Sequence, residues 1–192
     1  VRAEVEDVAV AAGREHDRVG RMRTDLAAYE VAHDDALRVA VDEHEIEHLN
    51  TIWHRLDPWP DVVEGLTRLK RRYIIGPCSN ANIGLAVRMA KRAGLPWDVI
   101  VGAEVARAFK PTPEAYLRSA AALNLQPHEV MLVAAHNNDL AAAAKTGFRT
   151  AFVHRPDEYG SRRAADVATN HTWDIATDSF IGVAEAMGCP RR

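Results

Sequence analysis

The sequence predicts an α/β protein, a mostly parallel sheet with helices on its faces. Three observations carry that reading. Beyond residue 60, short apolar runs alternate with helical patterns at spacings that suit strand–helix–strand units. Before residue 57 the pattern is helical, and almost nothing reads as a strand. Between the two stands Asp57-Pro58-Trp59-Pro60, where a helix must stop, because proline lacks an amide hydrogen and biases its predecessor away from the helical region. A helical segment over 1–57 and an α/β segment over 58–192 are therefore expected.

In the first segment the opening residues, with Val5, Val8 and Ala12, read as part of a helix, and a second spans Leu26 to Val41. A third begins at Glu43, where Ile46, Leu49, Trp53 and Leu56 recur every three or four residues and Asp42 stands at the N-cap. Beyond the prolines, the helix from Asp61 presents Val62, Leu66 and Leu69 and ends in Lys70-Arg71-Arg72, cations that suit a C-terminal dipole. Tyr73-Ile74-Ile75 reads as a buried strand. Asn82 to Ala93 is helical, with Gly94 as a left-handed C-cap. Asp98 to Val101 is a short strand, and Thr112 caps a helix whose first residue is Pro113. Val130–Val133 and Thr150–Val153 are strands around a helix over Asp139–Lys145, with Gly147 as its cap. Phe180 to Met187 is a last helix.

Composition narrows the function. At 192 residues a domain of this kind buries roughly 70% of its unfolded surface, enough to need no staple. Lys and Arg number 24 against 27 Asp and Glu, a formal charge of -3, which gives no reason to expect nucleic acid or an anionic membrane as partner. Cys78 and Cys189 form no disulfide framework and no metal quartet. Apolar runs reach only about five residues, as in Met131 to Ala135, too short to span a bilayer. The first residues do not resemble a signal peptide. A cytoplasmic protein without metal or cofactor is the expectation.

In an open parallel sheet, ligands bind beyond the carboxyl ends of the strands. Three polar segments fall at such ends: Cys78-Ser79-Asn80, then Lys110-Pro111, then His136-Asn137-Asn138-Asp139. Each also has a local reading. Ser79, Asn80 and Asp139 could cap helices, Lys110 could be a solvated loop lysine, and His136 could be a surface or capping residue without a ligand role. His44 and His48, four apart, lack a third metal ligand nearby.

Taken together, the ordered blocks resemble the type II (L-2-)haloacid dehalogenases of the haloacid dehalogenase-like hydrolase superfamily. The resemblance runs from about His54 to Tyr159. It is carried by His54-Arg55-Leu56-Asp57-Pro58-Trp59-Pro60, by Leu69 to Ile75, and by Cys78-Ser79-Asn80-Ala81-Asn82. It continues in Ala108-Phe109-Lys110-Pro111-Thr112-Pro113-Glu114-Ala115-Tyr116, in Val133-Ala134-Ala135-His136-Asn137-Asn138-Asp139-Leu140, and in Gly147 to Val153 with Arg155-Pro156. The resemblance implies a Rossmann-like core with a helical cap domain. It also implies hydrolytic dehalogenation of short (S)-2-haloalkanoic acids to 2-hydroxy acids through an aspartyl ester. By the same resemblance Ser79 binds the substrate carboxylate, and Asn80 with an arginine receives the halide. Lys110 keeps the nucleophile charged. Asp139 orients Lys110 or the hydrolytic water, Tyr116 joins that network, and Trp59 walls the pocket. The implied ligands are a small 2-haloacid and halide, and a homodimer is the implied assembly.

The sequence departs from the family pattern in three places. Ala81 stands where the family usually has glycine, which requires a backbone outside strongly positive φ. Ala134 and His136 replace a serine and an asparagine. Most importantly, the first motif, a strand ending in the aspartate nucleophile and followed by Tyr-Gly-Thr or a close variant, has no match. Asp7, Asp17, Asp25, Asp34 and Asp35 lack its context, and Arg14, Arg18 and Arg21 are unranked candidates for the halide arginine. The central first strand is therefore expected to be missing, leaving its two neighbours without ladder partners. The chain reads as truncated, with Val1 as an alternative start codon read literally. A magnesium-dependent phosphatase of the same superfamily is the alternative; Ala135 falls where that class places a metal-binding aspartate, and alanine cannot coordinate magnesium. A non-enzymatic truncated or degenerate product is the other.

Overall fold

The computed structural model describes residues 8–10, 52–156, 158 and 172–191, with the backbone alone at 8–10 and 52–53. The helix expected between Leu26 and Val41, the part before residue 52 of the helix expected from Glu43, the aspartates Asp7, Asp17, Asp25, Asp34 and Asp35, and the three candidate arginines lie outside the described residues. A short 3₁₀ turn, Ile52–Arg55, leads to the proline break.

Six strands form one sheet: β1 (Val8–Val10), β2 (Ile75–Ser79), β3 (Val101–Gly102), β4 (Met131–Ala134), β5 (Arg149–Val153) and β6 (Ile175–Thr177). Their spatial order is β3-β2-β1-β4-β5-β6. The pairs β2–β3, β4–β5 and β5–β6 are parallel, as the alternating pattern predicts. Among the described residues, six helices accompany them: α1 (Val62–Leu69), α2 (Ile83–Ala93), α3 (Ala103–Ala106), α4 (Pro113–Ala122), α5 (Asn137–Lys145) and α6 (Phe180–Ala186). None of the helices among the described residues is long and apolar enough to cross a membrane.

Between β2 and β4, where the family's parallel first strand is expected, the chain places β1 running antiparallel to both neighbours. Val8 pairs with Pro77 on one side and Val133 on the other, and Val10 with Ile75 and Met131. The helical reading of the opening residues is thus corrected at Val8–Val10. Two central strands offering unpaired amides and carbonyls are a strong template, and a three-residue apolar segment can satisfy them in either direction.

The two faces of the sheet carry separate apolar clusters, as alternation along the strands requires. Val133, Ala151 and Val153 join Val62, Leu66, Leu69, Phe180 and Val183 from α1 and α6. Leu132, Ala134 and Phe152 point the other way, to Ala115, Tyr116, Leu140 and Ala143 from α4 and α5. Both sets are buried, and each fully buried large side chain contributes about 1.5–3 kcal/mol.

Strand boundaries differ from the sequence reading where side chains outvote propensity. The strand expected at Tyr73–Ile75 begins instead at Ile75, and Ile74 is 43% exposed. Gly76-Pro77-Cys78 continues it despite poor strand propensity. At Gly76 any side chain would collide with the Val99 carbonyl, its Cβ falling 2.2 Å from that oxygen. The strand expected from Asp98 starts only at Val101, because the Asp98 carboxylate accepts from the Ile75 amide at 3.1 Å and pairs with Lys70. Gly102 is equally constrained, with 2.4 Å between an added Cβ and the Ser79 carbonyl.

One buried clamp closes the fold. Arg155, 3% exposed, donates from both terminal nitrogens to Asp61 at 2.9 and 3.0 Å. Asp61 also accepts from the Phe180 amide at 2.7 Å. The guanidinium lies 4.9 Å from the Trp59 ring centroid and 5.9 Å from that of Phe180. Burial by itself raises the Asp61 pKa, but the Arg155 and Phe180 hydrogen bonds and the Arg155 charge outweigh it and hold the carboxyl below its usual range.

Candidate active site

The candidate side chains come from the end of a strand, an irregular segment after a helix, and the first turns of two helices. β2 ends at Ser79, so Asn80 emerges at its carboxyl edge. Lys110 follows α3, whose C-cap, Arg107, takes a left-handed conformation at φ 51°. α4 presents Tyr116 from its first turns, and α5 begins directly after β4, placing Asp139 in its first turn.

Of the three polar segments, Asn80, Lys110 and Asp139 meet. Lys110 Nζ donates to Asp139 Oδ2 at 2.5 Å, and the two side chains are 9% and 14% exposed. The Tyr116 hydroxyl donates to the other oxygen, Asp139 Oδ1, at 2.5 Å. Asn80 Nδ2 donates to the Lys110 carbonyl at 3.1 Å, and the Lys110 amide donates back to Asn80 Oδ1 at 2.8 Å. A mostly buried ammonium is thus held against a carboxylate engaged on both oxygens, which compensates the desolvation of both charges.

Helix capping falls to other residues. The side chain that caps α2 is Asn82, accepting from Leu85 N at 2.7 Å, not Ser79 or Asn80. Asp139 is no N-cap; that position is His136, which makes no side-chain cap bond. Thr112 stands at the N-cap of α4 as expected, but its hydroxyl donates to the Phe109 carbonyl at 2.8 Å. Gly94 takes the left-handed C-cap, at φ 65°. Among the described residues, the non-glycine positive φ angles belong to Arg107 and Asn124, so Ala81 avoids the strain that its methyl group would meet there.

Ser79 and Trp59 make other contacts. The Ser79 hydroxyl accepts from the Ala81 amide at 3.2 Å, shaping the turn out of β2. Trp59, 7% exposed, packs in the cluster on the α1–α6 face, whereas Tyr116 is buried on the opposite face. The sequence pattern gives no role to His136. Its Nε2 lies 2.5 Å from Glu158 Oε1, and the Glu158 side chain is 3% exposed. Nothing local in the sequence signals that pair, because its members are separated by 22 positions that include a helix and a strand. Among the described residues, no three His, Cys, Asp or Glu side chains gather as a metal site would require.

The model of the haloacid dehalogenase-like hydrolases matches residues 2–147. This chain belongs to that family. It is closely related to the L-2-haloacid dehalogenases. It is 30% identical over 118 residues to the (S)-2-haloacid dehalogenase of Xanthobacter autotrophicus, covering 59% of this chain and 46% of that one. It also superposes on the crystal structure of a defluorinating L-2-haloacid dehalogenase, with TM-score 0.75 and 46% identity over 83% of this chain and 65% of that one. A second L-2-haloacid dehalogenase matches at TM-score 0.76 and 38% identity, over 84% and 68% of the two chains. The chain spans about half the length of the curated relatives it matches, 46% and 60% of the two.

Proposed function

We propose that this fold serves hydrolytic dehalogenation of short (S)-2-haloalkanoic acids, yielding 2-hydroxy acids through an aspartyl ester. The observation that carries the reading is the buried Lys110–Asp139–Tyr116 network at the carboxyl edge of the sheet. A carboxylate attacks the halogen-bearing carbon in line, the carbon–halogen bond breaks, and halide leaves with the bonding pair. Water then adds to the acyl carbon of the ester, which expels the 2-hydroxy acid and restores the carboxylate. Lys110 keeps the attacking group ionised by opposite-charge proximity. Asp139, fixed by Tyr116, sets the direction of that ammonium, and the Ser79 hydroxyl binds the substrate carboxylate. The related (S)-2-haloacid dehalogenases support this substrate class.

The nucleophile is the part that these 192 residues do not match by motif. The chain by itself is therefore expected to release no halide from L-2-chloropropionate, since positioned groups cannot replace an absent nucleophile. Joined to a first-motif strand that ends in an aspartate, the same chain is expected to release chloride from the L enantiomer and not the D, to resist EDTA, and to lose activity with Lys110→Met. An EDTA-sensitive release of phosphate from phosphate esters, without halide release, would overturn the proposal in favour of a phosphatase.

A further inference from the structure

The family pattern assigns Asn80 to the departing halide, but its carboxamide is already engaged in this chain. Its oxygen accepts from the Lys110 amide at 2.8 Å, and its nitrogen donates to the Lys110 carbonyl at 3.1 Å. This is the two-point contact that a neighbouring strand makes with a residue's main chain, formed here by a side chain across 30 positions of sequence. It ties the irregular segment after α3 to the end of β2, the strand that borders the candidate site. Lys110 has a long, flexible side chain with substantial rotamer entropy. Without a fixed backbone its ammonium could not stay within 2.5 Å of Asp139. The asparagine side chain suits this contact because it is half-buried and both polar atoms of its amide are used. Glutamine at the same position would overreach by one methylene.

We infer that Asn80 is a positioning residue for Lys110, fixing the lysine main chain so that its ammonium remains seated on Asp139. The consequence for catalysis rests on the dehalogenase reading, but the contact and its test do not. The test is competitive acetylation of the 192-residue chain, with each lysine's rate read by mass spectrometry. Lys70, Lys91 and Lys145 are the other lysines and act as internal references. Asn80→Ala is expected to raise the Lys110 rate about twofold to tenfold over the references, the range that one or two net hydrogen bonds span. Asp139→Asn, which releases the amine directly, sets the upper limit. If Asn80→Ala makes all four lysines react together, the fold has been lost and Asn80→Asp decides. That variant keeps the acceptor for the Lys110 amide and removes the donor to its carbonyl, so a rise at Lys110 alone supports the inference. An unchanged Lys110 rate in a folded Asn80 variant, with the Asp139→Asn rate elevated, overturns it. No substrate or turnover enters the measurement, so its failure is separate from failure of the dehalogenase assay.

Discussion

Arg155 meets Asp61 through a planar fork, two nitrogens on two oxygens, with aromatic rings against the guanidinium and a helix amide on the same carboxylate. Lys110 meets Asp139 through its one nitrogen, and the remaining carboxylate oxygen goes to a phenol. Both pairs are largely withdrawn from water. They differ in what they join. The arginine pair links the end of β5, the start of α1 and the start of α6, three elements that otherwise touch mainly through apolar side chains. The lysine pair links the irregular segment after α3 to the first turn of α5 on one edge of the sheet, where open α/β proteins bind ligands. Geometry separates the two charges: the fork fixes orientation, whereas an ammonium on a flexible stem stays a point source of field.

The most disruptive test of that contrast is Asp61→Ala. It strands a buried guanidinium and removes the acceptor of the Phe180 amide, so a loss of about 3–5 kcal/mol is expected in urea unfolding. Acid should reveal the same contribution. Because the folded-state pKa of Asp61 lies below its ordinary value, its stabilisation is complete above that ordinary value and fades as pH falls through the folded one. The difference in unfolding free energy between the parent and Asp61→Ala should therefore hold steady down to about pH 4, the ordinary aspartate value, and shrink as pH falls below it. A constant difference would mean that the clamp acts by packing alone. Lys110→Met is expected to cost less, about 1–2 kcal/mol, because Asp139 keeps its Tyr116 bond and lies at an edge that water can reach. If Lys110→Met costs as much as Asp61→Ala, the lysine pair is structural and the contrast collapses.

The lysine site is far more legible in the sequence than the clamp. Asn80 follows β2, Asp139 lies in the first turn of the helix after β4, and Lys110 comes shortly after β3, so the rule about strand ends converges on them, and the ordered motifs add their order. Arg155 and Asp61 stand in equally plain segments, Arg155-Pro156 and Pro60-Asp61, yet no spacing rule pairs residues 94 positions apart. The parallel strands read in the right order with shifted ends. Ile74 looks as buried as Ile75, and Gly76-Pro77 looks like a turn, because what decides there is how closely Val99 approaches. β6 and α3 escape a periodicity search through brevity, at three and four residues. Val8–Val10 is hidden for a different reason. Three apolar residues fit a helix face as easily as a strand, and only the vacancy between two other strands selects the extended form.

At Gly102 the closest neighbour of the missing side chain is the main-chain oxygen of Ser79, so the serine hydroxyl is located partly by a residue that has nothing to offer a ligand. Even a methyl group there would have to shove one strand sideways, and the first thing displaced would be the rim from which Ser79 and Asn80 project. Aim at this rim is set from behind, by the absence of one carbon atom.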